Sequence, residues 1–167
     1  TIKVTANSVS IFDMGTGMNL QDFLLARQFG LSPKSLSESV GFRGIGIYSA
    51  FDLCKRLRIT SSKEGDPYRH VLVFEFADMK AALEADRRRG PDDPRISLST
   101  LLSKCTRIKR EGGTEPLQQH FTHVELQDIS DVHIRQLADR VAMKRYLLQN
   151  LPIDFDDDFE YKEIVNR

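Results

Sequence analysis

The sequence predicts an α+β fold, a two-layer sandwich in which a mixed, mostly antiparallel sheet carries its helices on one face. Stretches that alternate apolar and polar residues are interspersed with stretches of helical periodicity. The two do not follow the regular strand–helix–strand order of a parallel sheet. The 167 residues fit one domain with its own core. We assign this domain to residues 1–150, and residues 151–167 to a tail or to the start of a following domain.

Composition and charge argue against several classes of protein. The formal net charge is zero, so no overall field favours nucleic acid or an acidic membrane as a partner. Two cysteines are too few for a disulfide framework and suit a reducing compartment. No apolar run approaches the roughly 18 residues that a membrane span requires. We therefore expect a cytoplasmic protein without a membrane or nucleic-acid partner.

The first thirty residues predict a hairpin followed by a helix. "TIKVTANSVSIFD" alternates as two strands do, with turn-forming residues near positions 6–8. In "NLQDFLLARQFG", Asn19 is the predicted helix cap, Asp22 favours the positive end of the helix, and Gly30 can end it. The following "LSPKSLSES" is rich in serine and predicts a mobile loop.

The remainder of the chain continues this mixture. A helix is predicted over residues 45–55, and strands at "RLRITSS" and "RHVLVFEFA". Asp78 is the predicted cap of the helix in "DMKAALEADRRR". "ISLSTLLSKCTRIKR" is ambiguous, "HFTHVELQDI" alternates as a strand does, and "DVHIRQLADRVAMKRYLLQNL" predicts one helix or two short ones.

The stretch "DMGTGM" offers the chemistry of a purine site. The carboxylate of Asp13 accepts hydrogen bonds, and the Watson–Crick edge of adenine presents an exocyclic amine that donates one. At the end of a strand, facing an apolar pocket, Asp13 would select such a base. Gly15 and Gly17 allow the backbone to approach a flat ring, and Met18 can form a soft apolar wall. The alternative interpretation is a glycine-rich turn after a strand.

A second glycine-rich stretch, "GFRGIGIYSAF", leads from a loop into a predicted helix. The N–H groups at a helix N-terminus bind phosphate, and Gly41, Gly44 and Gly46 let them approach an anion. The alternative is close packing of the helix through small residues. We reject a dinucleotide fingerprint, because that motif has the order G-x-G-x-x-G and directly follows a strand.

Together, in this order and separated by a serine-rich loop, the two motifs resemble those of the Bergerat-fold (GHKL-type) ATPases. This superfamily contains gyrase-type topoisomerases, ninety-kilodalton heat-shock chaperones, sensor histidine kinases and mismatch-repair ATPases. "DMGTGM" resembles their D-x-G-x-G box, and "GFRGIGIYSAF" is most similar to the chaperone box. The resemblance is specific over residues 11–62 and weaker over residues 120–129.

The resemblance implies roles for residues around the base. Asp13 would accept from the adenine amine, while Gly15 and Gly17 would line the base. The family also uses a threonine on a late strand, and "FTHVEL" matches that pattern from Thr122 onward, with another residue in the usual glycine position. Thr114 is a rival that follows a glycine, but a proline two residues later is unsuited to a central strand.

The resemblance also implies roles around the phosphates. Lys34, in the position of the family's ATP lid, would reach a terminal phosphate, with a solvated loop lysine as the alternative. The backbone of the second box would cover the phosphate chain, and this set comprises Gly41, Arg43, Gly44, Ile45 and Gly46.

One family element has no counterpart in these residues. The family carries a catalytic Glu and an Mg²⁺-binding Asn on a helix before the first box, whereas the twelve residues before Asp13 predict strands and lack an initiator Met. We therefore expect upstream residues to be missing. The resemblance implies ATP as ligand, Mg²⁺ and slow hydrolysis in the complete protein, and a homodimer. A degenerate module that keeps the fold for protein interaction, without turnover, is the alternative.

Overall fold

The computed structural model describes residues 1–31, 45–112 and 120–150. Its strands are β1 (Ile2–Val4), β2 (Ser8–Asp13), β3 (Cys54–Ser62), β4 (Tyr68–Glu75), β5 (Thr106–Gly112) and β6 (Phe121–Ile129). Its helices are α1 (Leu20–Ala26), a 3₁₀ helix (Gly46–Phe51), α2 (Phe76–Arg87), α3 (Leu98–Cys105), α4 (Asp131–Ala138) and α5 (Arg140–Asn150). None of these helices is long and apolar enough to cross a membrane.

The strands form one sheet in the order β1-β2-β6-β3-β4-β5. Register places Val9, Leu126, Leu57 and Phe74 opposite one another on a single face. The buried core joins this face to side chains of α1, the 3₁₀ helix, α2, α3 and α4. The predicted α+β class, with helices on one face of the sheet, is confirmed. All five described strand pairings are antiparallel, so this part of the sheet is not mixed.

The predicted hairpin and first helix are confirmed. β1 and β2 pair antiparallel, and the Thr5 N–H donates to the Ser8 carbonyl at 2.8 Å across the turn. Asn19 and Asp22 form a reciprocal capping box, each side chain accepting from the backbone N–H of the other at 3.1 and 2.9 Å. Gly30 does not end this helix as predicted: α1 ends at Ala26 with Arg27 at the C-cap position, and Gly30 lies in the turn that follows, with a φ of 78° that favours glycine.

The helix predicted over residues 45–55 is shorter and is a 3₁₀ helix. It ends at Phe51 because Cys54 already pairs with Ile129 in the β3–β6 ladder. Within it, Tyr48 packs edge-on against Phe74, with ring centroids 5.4 Å apart. The Tyr48 hydroxyl donates to the Arg27 carbonyl at 2.7 Å, which joins the 3₁₀ helix to the end of α1.

The remaining helices refine the prediction. Asp78 is not a cap: α2 begins at Phe76, immediately after β4, with Glu75 at the N-cap position and Phe76 buried in the core. The ambiguous stretch resolves into α3, which Ser97 caps by accepting from the Thr100 N–H at 3.2 Å, followed directly by β5. The last helical stretch forms two helices, α4 and α5.

We predict that Tyr48→Phe lowers the free energy of unfolding by about 1 kcal/mol at pH 7, because the Arg27 carbonyl loses its hydroxyl donor. Burial raises the pKa of Tyr48 to about 12, above the value of about 10 for an unfolded chain. This raised pKa favours the neutral phenol, so its contribution is complete below about pH 10 and is lost as pH rises toward 12. Urea unfolding across that range would show a smaller alkaline loss in Tyr48→Phe.

The matched control is Tyr68→Phe, because the Tyr68 hydroxyl makes no hydrogen bond to the described residues, and this change is expected to leave stability unchanged. An alkaline stability loss of the same size in wild type and in Tyr48→Phe would contradict the assignment.

Candidate functional site

Three polar side chains form a row across β2, β6 and β3. Asp13 lies directly opposite Thr122, and Thr122 lies directly opposite Ser61. Directly opposed residues in antiparallel strands project from the same face with Cβ atoms about 4.5–5.5 Å apart. Register places this row on the face that carries the core, at the end of the sheet where β2 finishes. The structure thus brings together two residues that the sequence singled out, far apart in the chain.

Ser61 is the buried member of this row, and sequence analysis missed it. Its hydroxyl donates to the Phe121 carbonyl at 2.6 Å and accepts from the Met18 N–H at 2.8 Å. Because Ser61 has one hydroxyl proton, the 3.1 Å contact between the two hydroxyls has Thr122 as donor. The Thr122 oxygen therefore faces its surroundings as an acceptor. The available signal was the alternation Leu57, Ile59, Ser61, which places a hydroxyl on an otherwise apolar face.

Asp13 is exposed, which corrects the expectation of an apolar pocket. The physical reason is its place at the last residue of β2, where the chain leaves the sheet. One carboxylate oxygen accepts from the Gly15 N–H at 2.9 Å, and the other makes no hydrogen bond to the described part of the chain. An exposed carboxylate incurs little desolvation cost, so it needs no ring of buried donors.

Of the two glycines in the first motif, Gly17 is required by the loop itself. Gly17 has a φ of 71°, and a Cβ there would lie 1.8 Å from the Ser62 carbonyl oxygen, so the loop packs directly on the end of β3. A Cβ at Gly15 would lie 2.9 Å from the Asp13 carboxylate oxygen that its N–H binds. Met18 is half-buried against the core. These contacts match the alternative interpretation, a glycine-rich turn, and require no base.

Only two residues of the second motif lie in the described ranges. Ile45 is exposed, and Gly46 begins the 3₁₀ helix. A Cβ at Gly46 would meet no atom of the described residues within 4 Å, so close packing against them does not explain this glycine. The other predicted phosphate-site residues lie outside the described residues, as does the rival Thr114, and this set is Lys34, Gly41, Arg43 and Gly44.

His70 extends the polar row to β4. It lies opposite Ser61, is buried, and has its Nε2 atom 3.0 Å from the Asp66 carboxylate. The trio of Ser61, His70 and Asp66 is not a nucleophilic triad. No hydrogen bond joins the serine to the imidazole, and the serine proton is directed at the Phe121 carbonyl.

The other residues with potential chemistry do not converge. His120 precedes β6 rather than lying in it, and its Nδ1 atom is 2.5 Å from the Gly15 carbonyl oxygen. Cys54 is in β3 rather than on a helix, and burial raises the pKa of its thiol to about 11, so little thiolate exists at neutral pH. Residues 1–31, 45–112 and 120–150 contain no group of three or more His, Cys, Asp or Glu able to hold a metal ion.

Comparisons with known proteins find similarity in structure but none in sequence. No known family model and no curated protein sequence matches the chain. Among solved structures, the chain is similar to the ATPase region of Saccharomyces cerevisiae topoisomerase II, with 11% sequence identity and a TM-score of 0.48. The match covers 80% of this chain and 32% of that one, so this chain spans about a third of its length.

We predict that Gly17→Ala destabilises the fold by about 3 kcal/mol, because a Cβ adds left-handed backbone strain to a collision with the Ser62 carbonyl. Gly30→Ala is the matched control, since Gly30 also has a positive φ but open space around a Cβ, and its cost is about 1 kcal/mol. Chemical denaturation of both variants measures the difference. Equal costs would show that the loop does not pack on β3 as described.

Proposed function

We propose that this chain is an adenine-nucleotide-binding domain of the Bergerat type. The observation that supports it best is the in-register placement of Asp13 and Thr122 beside the glycine loop, on the helix-bearing face of the sheet. Both side chains are held by protein hydrogen bonds that leave acceptor capacity facing outward. Two fixed acceptors suit a ligand edge that presents an amine.

Adenine supplies such an edge through its exocyclic amine. In the proposed complex, the carboxylate oxygen of Asp13 that does not bind the Gly15 N–H accepts from this amine. The Thr122 oxygen accepts a further hydrogen bond, from the amine or from a bridging water. Gly15, Gly17 and Met18 line the base. The exposure of Asp13 implies that the base is held in an open site, at the end of the sheet where β2 finishes, and not in a closed cavity.

The phosphate end of the proposal rests on the resemblance. Ile45 and Gly46 would contribute backbone N–H groups near the phosphates, and the open space around Gly46 is compatible with an approaching anion. Gly41, Arg43, Gly44 and Lys34 would complete the phosphate contacts. Bound Mg²⁺ would neutralise phosphate charge. The resemblance assigns its protein ligand and the hydrolytic base to a preceding helix, and the described residues supply no substitute metal cluster.

The proposed role is a nucleotide-gated conformational switch. Binding would order the segment around the phosphates and reshape a homodimer, and slow hydrolysis by the complete protein would reset it. The competing proposal, a module that has lost turnover, is favoured by the exposed Asp13 and by Gly17, which the loop requires without a ligand. Titration with ATP and ADP, with and without Mg²⁺, separates the two when melting temperature is followed. A longer chain that includes upstream residues and still shows no shift would support the module.

We predict that Asp13→Asn weakens ATP binding by at least about tenfold while leaving the unliganded melting temperature unchanged. The amide oxygen would keep the hydrogen bond from the Gly15 N–H, which turns the amide NH₂ toward the adenine amine, donor against donor. The oxygen of guanine at the same position would then be matched, so the ratio of GTP to ATP affinity rises.

Asp52→Asn is the control, because Asp52 is an exposed carboxylate outside the proposed site. Its ATP affinity is expected to equal that of wild type. Unchanged ATP affinity in Asp13→Asn would refute the assignment of the base-recognising residue.

A further inference from the structure

A groove of about 890 Å³ lies between the edge strand β1 and the helices α4 and α5. The strand contributes residues 2–5, and the helices contribute residues from Leu137 to Leu148. Its half-buried lining side chains are all apolar, namely Val4, Leu137, Met143 and Leu147. The groove is separate from the proposed nucleotide site, with which it shares no residue.

In the described sheet, β1 pairs with another strand along one edge and not along the other. Thr1 and Phe12 exchange both N–H···O bonds, at 2.7 and 2.8 Å, and the Thr5 N–H bonds the Ser8 carbonyl. In an antiparallel pair such positions alternate, so the backbone groups of Ile2 and Val4 point away from β2. β1 is the terminal strand of the described sheet, and no described strand pairs with this outer edge. Two donors and two acceptors thus face outward along the groove.

The charges that line the groove have one sign. Lys3, Arg140 and Lys144 line it, and no acidic residue of the described ranges does. Within the ranges that the structure describes, none of these three cations takes part in an ion pair. A ligand that carries carboxylates alongside aliphatic side chains would therefore complement both the charge and the apolar lining.

We infer that this groove binds an extended segment of a partner polypeptide in which acidic and aliphatic residues alternate. The segment adds a strand beside β1 and pairs with the outward backbone groups of Ile2 and Val4. Alternate side chains of an extended segment project to opposite sides. Its aliphatic side chains face the helices and pack on Leu137 and Met143, while its carboxylates project to the opposite face of the sheet, on the side of the Lys3 side chain.

The first test uses the full chain and a fluorescently labelled seven-residue peptide in which Glu alternates with Val. We expect saturable binding by fluorescence anisotropy, and at least about tenfold weaker binding when Lys replaces Glu in the peptide. Two further peptides carry N-methyl groups on every second residue, one on the odd-numbered residues and the other on the even-numbered residues. Each of these two phases lacks the N–H donors along one edge of the strand. Strand addition requires one phase to bind and the other to fail. Equal affinities of the two phases, or no binding of the Glu peptide, would overturn the proposal.

The second test changes the protein. Val4→Pro deletes an outward N–H but none of the hydrogen bonds between β1 and β2, so it is expected to weaken peptide binding about tenfold with an unchanged melting temperature. Lys3→Glu is expected to weaken binding about fivefold. Arg145→Glu is its control, because it reverses a charge of the same sign outside the groove, and it should bind within about twofold of wild type.

Equal effects of Lys3→Glu and Arg145→Glu would reduce the binding to general charge attraction and overturn the groove assignment. Analytical ultracentrifugation tests the other occupant, a second copy of the chain. If the peptide fails to bind and the chain sediments as a dimer that Val4→Pro converts to monomer, the β1 edge pairs with its own copy and the proposal is wrong.

Discussion

The insertion of β6 between β2 and β3 is the constraint on which the rest of the structure depends. β6 pairs with β2 over six residues and with β3 over eight, and it is what connects the β1–β2 hairpin to the rest of the described sheet. It also brings Thr122 between Asp13 and Ser61, so the polar row exists because of this strand. Such pairing is remote in sequence, and its loop-closure entropy must be offset by the apolar face that the sheet buries.

The two surfaces proposed to bind ligands share one physical design. At each, a polar group uses part of its hydrogen-bonding capacity to fix its own position and leaves the rest outward. One carboxylate oxygen of Asp13 accepts a hydrogen bond from the Gly15 N–H, and the Thr122 hydroxyl donates a hydrogen bond to Ser61. The edge strand does the same, since alternate residues pair with β2 while Ile2 and Val4 face away. Groups fixed in this way lose little conformational entropy when a ligand arrives.

Local features of this fold follow from the sequence, whereas its long-range features do not. The capping box at Asn19 and the alternation of β6 are short-range signals, and the structure has them where they are predicted. The start of α2 was misplaced because burial of Phe76 outweighs the capping preference of Asp78. The 3₁₀ helix is short because Cys54 pairs with Ile129, a residue distant in sequence, in the β3–β6 ladder.

The candidate site divides in the same way. The residue types at Asp13 and Thr122 mark both as candidates, but only strand register places them opposite each other. Neither the exposure of Asp13 nor the central role of Ser61 follows from local sequence. The first depends on where β2 leaves the sheet, and the second depends on a backbone N–H supplied by a distant loop.

The seven-residue helix α1 is fastened at both ends by other elements. Just before its first residue, the Met18 N–H bonds Ser61 on β3, and just after its last residue, the Arg27 carbonyl accepts from Tyr48 in the 3₁₀ helix. Within the described structure, α1 therefore connects the two glycine motifs. Loss of either hydrogen bond would leave a helix that is too short to be stable alone. The conformation of one glycine motif therefore depends on that of the other.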